Sequence, residues 1–325
     1  MNKKFLTIIL ICICFCLVFT SCSRDIVCGK NSVSYLSLKG SKTYLNNYDI
    51  DSNKEQKGKI GLKDEVFWGL FDIYDGGNIV VLNTGEIMVL DSSGSRKYSD
   101  ISNRIVAIKK IEENILIISQ QDEEMEIKIF NESFSEQLYS EKIPGDFSNI
   151  IKSDDKIILT SYNEKLQDSY LHIMEYKESF HLVSHNLFNY AATIVPINVE
   201  NQIFVFVNKT MDSSINWKDV NVLYSVNDDF SINTVHTFDN GLSYGWGSKE
   251  EIFLLMGENS TSLYSYSLSS SEIKTLYSLE NEAICHAYSL SNRIFLISDK
   301  GLYLFENNTI EKVHGWNTML PNDYN

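Results

Sequence analysis

Proline and glycine are scarce, with 3 and 16 residues in a chain of 325. That shortage excludes collagen-like and proline-rich low-complexity chains. Positive charge is short as well. Lys and Arg total 28 against 43 Asp and Glu, a formal charge of −15. A nucleic-acid binder needs cationic surface to displace counterions from phosphates, so that class is excluded. Cysteine is rarer than its count of six implies: Cys12, Cys14, Cys16 and Cys22 crowd the N-terminus, leaving Cys28 and Cys285. Past the N-terminus, runs of ten or more residues with a helical period are lacking. This argues against α/β classes.

Enzyme signatures are missing too. There is no G-x-S-x-G nucleophile elbow and no H-E-x-x-H. His181 and His185 have the i, i+4 spacing of a helical metal site. On a strand, where this segment belongs, they stand about 13 Å apart and cannot chelate. Asp49-x-Asp51-x-Asn53 opens like a calcium loop, but Lys54 replaces the required Gly and Ile60 the bidentate Glu. The acidic pairs Glu123-Glu124, Asp154-Asp155 and Asp228-Asp229 fall where turns are expected and solvate them. No catalytic residue, cofactor or metal site is therefore assigned.

What is present begins with Lys3-Lys4, then a 15-residue run from Phe5 to Phe19 whose one polar member is Thr7. A charged start, a short apolar core and small residues before a cut make a secretory signal. The run is shorter than the roughly 20 residues that span a bilayer. Phe19-Thr20-Ser21-Cys22 resembles the lipobox of bacterial lipoproteins, with Phe19 departing from that family's usual Leu. The resemblance implies a diacylglyceryl thioether on Cys22, cleavage before it, and further acylation (palmitate is typical). It places the mature chain outside the cytoplasm, on a membrane. Ser23, where that family's inner-membrane members carry Asp, implies the outer membrane in a Gram-negative host. Two or more acyl chains anchor stably, one only reversibly.

The remainder repeats. A polar turn, one residue and an Ile-led apolar run recur at Ile79, Ile115, Ile157, Ile203, Ile252 and Ile294, with a weaker copy at Val33. The spacings are 46, 36, 42, 46, 49 and 42 residues, a mean of 43.5. Each marker strand is followed by an alternating strand such as Glu86–Asp91 or Leu302–Glu306, then by a shorter, more polar one such as Ile273–Tyr277. A further strand, such as Phe67–Ile73, leads into the next marker. Asn, Asp and Gly in the turns supply the positive φ that tight hairpins need.

Four strands per 40–45 residues are the signature of a propeller blade. The pattern resembles bacterial β-propeller repeats in general, without a Trp-Asp or double-Gly subfamily mark. The expected fold is all-β: a β-propeller of seven four-stranded blades, with six blades plus a hairpin as the alternative. The first blade lacks a clear inner strand, which residues 24–30 or the C-terminal tail would supply. The domain reading is a lipoprotein signal at 1–21, a lipidated tether at 22–30, the propeller at 31–317 and a tail at 318–325. If the ring closes, its ends meet, and Cys28 with Cys285 is a disulfide candidate. Two separate thiols are the equal alternative.

Lettering the strands A to D from the centre, B–C and D–A connections share one face. The longest B–C insertions are Tyr162–Tyr170 and Asn208–Asp219, in consecutive blades. Insertions on one face of a repeat protein mark a binding side. The candidate ligand face comprises Trp217, Trp68, Trp246, Tyr162 and Tyr170. Trp68, Trp246 and Trp316 are alternatively packing residues between blades. The leading functional expectation is a non-enzymatic module, anchored to a membrane by lipid, that binds a protein, peptide or glycan. The alternatives are a glycan-active propeller enzyme using channel-mouth carboxylates, and an envelope-assembly factor.

Overall fold

A computed structural model describes residues 26–28, 32–39, 42–49, 52–59, 67–74, 77–82, 86–91, 94–98, 104–153, 156–176, 179–200, 202–212, 216–248, 250–257, 261–279, 284–290, 293–298, 301–306 and 309–315. For some of the strand residues only the backbone is described. The described residues form 28 strands in seven antiparallel sheets of four. The first is β1 Ile26–Cys28, β2 Ser32–Lys39, β3 Lys42–Asp49 and β4 Lys54–Lys59. The second is β5 Phe67–Tyr74, β6 Gly77–Leu82, β7 Ile87–Asp91 and β8 Gly94–Tyr98. The third is β9 Ile105–Ile111, β10 Asn114–Gln121, β11 Glu124–Asn131 and β12 Gln137–Pro144. The fourth is β13 Asp146–Ser153, β14 Lys156–Asn163, β15 Asp168–Tyr176 and β16 Phe180–Phe188. The fifth is β17 Ala192–Val199, β18 Gln202–Met211, β19 Trp217–Val226 and β20 Ile232–Thr237. The sixth is β21 Leu242–Ser248, β22 Glu251–Met256, β23 Thr261–Ser267 and β24 Ile273–Leu279. The seventh is β25 Ile284–Leu290, β26 Arg293–Ser298, β27 Gly301–Glu306 and β28 Thr309–Gly315.

Every sheet keeps its strands in chain order, and the first strand of each sheet lies against the first strand of the next. The first strands therefore converge, as in a β-propeller. All seven markers, Val33 included, fall in second strands. The physical cause is burial on both faces. In β10, the six residues from Ile115 to Gln120 are all buried, because a neighbouring sheet covers each side. Such a strand reads as a continuous apolar run instead of an alternating one. Outer strands such as β20 and β28 are largely exposed. They are polar as expected, but β12 and β16, of 8 and 9 residues, are no shorter than the strands they flank. Among the described residues, no helix is long and apolar enough to cross a membrane.

The inner strand of the first sheet comes from β1, which pairs Ile26 with Tyr35 and Cys28 with Val33. Residues 26–28, read from sequence as tether, are thus part of the fold. Positive φ is taken by Glu112 and Glu200 in the turns before markers Ile115 and Ile203. The sequence reading gave that role to Asn, Asp and Gly; a solvated glutamate fills it at two of these hairpins.

Candidate functional site

The first-strand/second-strand ladder slips register near the start of the first strand in six of the seven sheets. A bulge of this kind re-aims one side chain. In β13 the extra residue is Ser148, whose hydroxyl donates to Ile194 O at 2.9 Å and accepts from Ile194 N at 2.8 Å, clamping sheet four to sheet five. Thr160 donates to the same carbonyl at 2.8 Å. In sheet five the extra residue is Asn208, on the second strand. Its amide donates to Leu242 O at 3.1 Å and its Oδ1 accepts from Leu242 N at 2.7 Å, clamping sheet six. Asn208, read from sequence as the start of a binding loop, is therefore a structural clamp.

The two insertions are hairpins more than loops. The β18–β19 ladder continues to the pair Met211–Trp217, so Trp217 opens a strand. Residues 164–167 alone connect β14 to β15. Asn163 Oδ1 accepts from both Lys165 N and Leu166 N at 3.0 Å, fixing the tip and leaving Leu166 62% exposed. Two further contacts pin this tip to its neighbours. Lys165 pairs with Glu123 of sheet three at 2.7 Å, and Gln167 Nε2 lies 3.3 Å from Met211 Sδ of sheet five. The two insertions are neighbours, as expected: the Gln167–Met211 contact joins them, and so does a ring pair. The rings of Tyr162 and Trp217 meet edge to face at 5.4 Å across the seam between sheets four and five.

Asp146 is the first residue of β13 and the register partner of Tyr162. Its Oδ1 accepts from Gln120 Nε2 at 3.1 Å. The same amide also donates to Gly145 O, and Gln120 Oε1 accepts from Phe147 N at 2.9 Å. Burial holds the Asp146 carboxyl above its usual range, helped by Glu164 and Glu123 and opposed by Arg104. Burial, with Asp146 and Glu164 nearby, pushes the Tyr162 phenol up to about 12, so it remains a hydrogen-bond donor at neutral pH. Among the described residues, Asp146 Oδ2, the Tyr162 hydroxyl and the Trp217 indole N–H have no hydrogen-bond partner. Asp146 is thus a half-buried carboxylate tied to sheet three through Gln120, while its register partner Tyr162 meets Trp217 of sheet five. Sequence reasoning found both rings and missed Asp146, because Gly145-Asp146 looks like any polar turn.

The other sequence-singled residues lie apart. Tyr170 donates to Asp168 at 3.2 Å and stacks near His172, on the side of sheet four that faces sheet three. Trp246 lies two residues before the end of β21, toward the face opposite the insertions, and stacks on Phe253 at 5.1 Å. It packs into the core between sheets six and seven, its N–H buried without a partner. Trp68 is the extra residue of the β5 bulge, and Cys285 that of β25; their side chains lie outside those described. Cys28, also without a described side chain, sits beside marker Val33, whereas Cys285 sits beside Ile297 and Ser298, beyond marker Ile294. Cys22 and Trp316 lie outside the described residues. His181 and His185 both occupy β16, and no metal-binding cluster of three occurs among the described residues.

No protein-family model matches the chain, and no curated protein matches it in sequence. Solved structures do match. The β-propeller domain of the Trilobed protease from Pyrococcus furiosus, described as an open velcro topology, has 14% identity and a TM-score of 0.62. That match covers 92% of this chain and 98% of that one. Pyrococcus horikoshii acylaminoacyl peptidase has 13% identity and a TM-score of 0.62 over 92% of this chain, which spans 53% of that enzyme. An extracellular domain of a hybrid two-component system from B. thetaiotaomicron has 16% identity, a TM-score of 0.55, and coverage of 80% and 35%. The fold is thus that of β-propellers.

Proposed function

We propose that this chain is a lipid-anchored, extracytoplasmic β-propeller that acts as a binding module, with its partner met at the seam between sheets four and five. The observation that carries the reading is the Tyr162–Trp217 contact, which joins the two longest insertions into one aromatic ledge. Aromatic rings with a polar handle supply much of the energy at recognition sites. The lipobox-like Phe19–Cys22 supplies the anchor, and the described fold supplies a rigid frame. A partner would be a protein, peptide or glycan presented at the envelope surface.

The test joins both halves of the reading. Cys22→Ala is expected to move the protein from the membrane to the soluble fraction or to block processing. Trp217→Ala is expected to weaken binding to a ligand drawn from peptide and glycan arrays by about thirtyfold, the threshold of a binding hot spot at about 2 kcal/mol. Membrane retention by Cys22→Ala would sink the anchor, and undiminished binding by Trp217→Ala would sink the face.

A further inference from the structure

We propose that the outer edge of sheet four, strand β16, pairs with the same edge of a second copy of this chain. The outermost strand of each sheet has a hydrogen-bonded neighbour on one side only. Such edges invite pairing, and proteins guard them with charge, proline or short length. Five of the seven, β4, β8, β12, β24 and β28, carry lysine or arginine, and β12 ends in Pro144 as well. A sixth, β20, is uncharged but only 6 residues long. At 9 residues β16 is the longest of the seven, and it holds no Lys, Arg, Asp, Glu, Pro or Gly. Among the described residues, only the β15 ladder hydrogen-bonds to backbone groups from His181 to Phe188. Phe230 of sheet five stacks on the His185 ring, which covers a side-chain face and leaves the edge itself open. Val183, 37% exposed, is one of the few large apolar side chains that the described residues leave in solvent.

The missing charge selects the occupant. An edge made for a different protein can carry charges complementary to that protein's strand. An edge that meets its own copy sets each charge near an identical one, which is destabilising. A chain of net charge −15 repels its copies, so they approach best along a rim segment without charge. Antiparallel pairing about a twofold axis joins all 9 residues in one register, with Ser184 opposite itself. Val183 then lies opposite His185 of the second copy, and the two Val183 side chains are diagonal neighbours on one face. Two four-stranded sheets become one continuous sheet, and both open edges are removed. This contact lies on the outer rim and stands independently of the Tyr162–Trp217 ledge.

The experiment is analytical ultracentrifugation of the full chain in a density-matched neutral detergent. The expected result is a concentration-dependent dimer of the wild type. Val183→Lys removes apolar surface from the contact and sets two ammonium groups near each other, so it should raise the dimer dissociation constant at least about tenfold. Ser140→Lys adds the same charge to the exposed face of the neighbouring edge β12, and its effect is expected to stay within about twofold. An equimolar mixture of Val183→Lys and Val183→Asp should associate more tightly than either variant alone, because diagonal neighbours then carry opposite charges. A wild type that stays monomeric would overturn the proposal. So would a dimer that Val183→Lys leaves intact, since the contact would then lie on another surface. Equal weakening by Ser140→Lys would reduce the effect to general electrostatics, and a mixture no tighter than its components would rule out pairing of like edges.

Discussion

His172 is 1% exposed in β15, with its Nε2 2.8 Å from Ser161 Oγ and its Nδ1 2.7 Å from Ser184 Oγ. Burial, and His185 nearby, lower its pKa from 6.5 to about 4. The folded chain therefore keeps this imidazole neutral while the unfolded chain protonates it below pH 6.5. Its contribution to stability is complete above that value and is lost as pH falls from 6.5 toward 4. At 1.36 kcal/mol per pKa unit, the loss at pH 5 is about 2 kcal/mol. Urea midpoints at pH 7 and pH 5 should diverge by that amount more in the wild type than in His172→Gln. A variant as pH-sensitive as the wild type would show that other groups govern acid sensitivity. Nothing in the sequence marks His172, because a histidine in an alternating strand looks the same whether serines or water face it. Asp146 escaped notice for the related reason that nothing in Gly145-Asp146 marks the Gln120 amide that meets it from sheet three.

Adjacent sheets are held by apolar packing and by side chains that reach the next backbone. Gln120, Ser148, Thr160 and Asn208 all do this between sheets three and six. The innermost strands approach closely enough to need glycine. In Gly245-Trp246-Gly247 the two glycines face sheet five while the indole packs toward sheet seven. A Cβ on Gly247 would lie 2.2 Å from Asn198 O and 2.5 Å from Val199 Cγ2. Gly247→Ala must therefore push backbone apart, and overpacking of this kind costs about 2 kcal/mol. Gly241→Ala is the control, since its nearest neighbour would be Asn208 Oδ1 at 3.4 Å. Chemical denaturation should show the first variant clearly destabilised and the second close to wild type. Strand identity was legible at this scale, because burial on both faces writes a continuous Ile-led run into second strands such as β10, β14 and β22. The bulges and clamps were not legible, because a serine or asparagine inside a strand carries no mark of which backbone it will meet.

At the scale of the molecule, each sheet takes all four strands from one stretch of chain, so among the described residues no strand from one terminus completes the sheet of the other. First and last sheets meet through side chains. Tyr48 of β3, 1% exposed, stacks on His314 of β28 with ring centroids 4.2 Å apart, and its hydroxyl donates to Asn53 Oδ1 at 2.5 Å. Closure by packing puts weight on that ring. Tyr48→Ala should cost about 3 kcal/mol, as for other buried aromatics. Tyr48→Phe, which keeps the stack and loses one hydrogen bond, should cost about 1 kcal/mol. Thermal denaturation of the two variants measures the difference. Equal losses would mean that the Asn53 bond, and not the stack, secures the seam.

The sequence by itself determined the architecture: seven Ile- or Val-led markers at a mean spacing of 43.5 residues prescribe the repeated sheets. It determined this because hydrophobic period and turn chemistry are local, and each strand's burial is recorded in its own residues. It also named Tyr162 and Trp217 and the face they share. Only the tertiary structure decided that these rings touch, that Gln120 of sheet three holds Asp146, that Trp246 belongs to the core, and that β1 completes the first sheet. Those outcomes depend on which side chains meet across a seam, between residues far apart in the chain, such as Tyr162 and Trp217 at 55 positions. Periodicity along the chain holds no information at that separation.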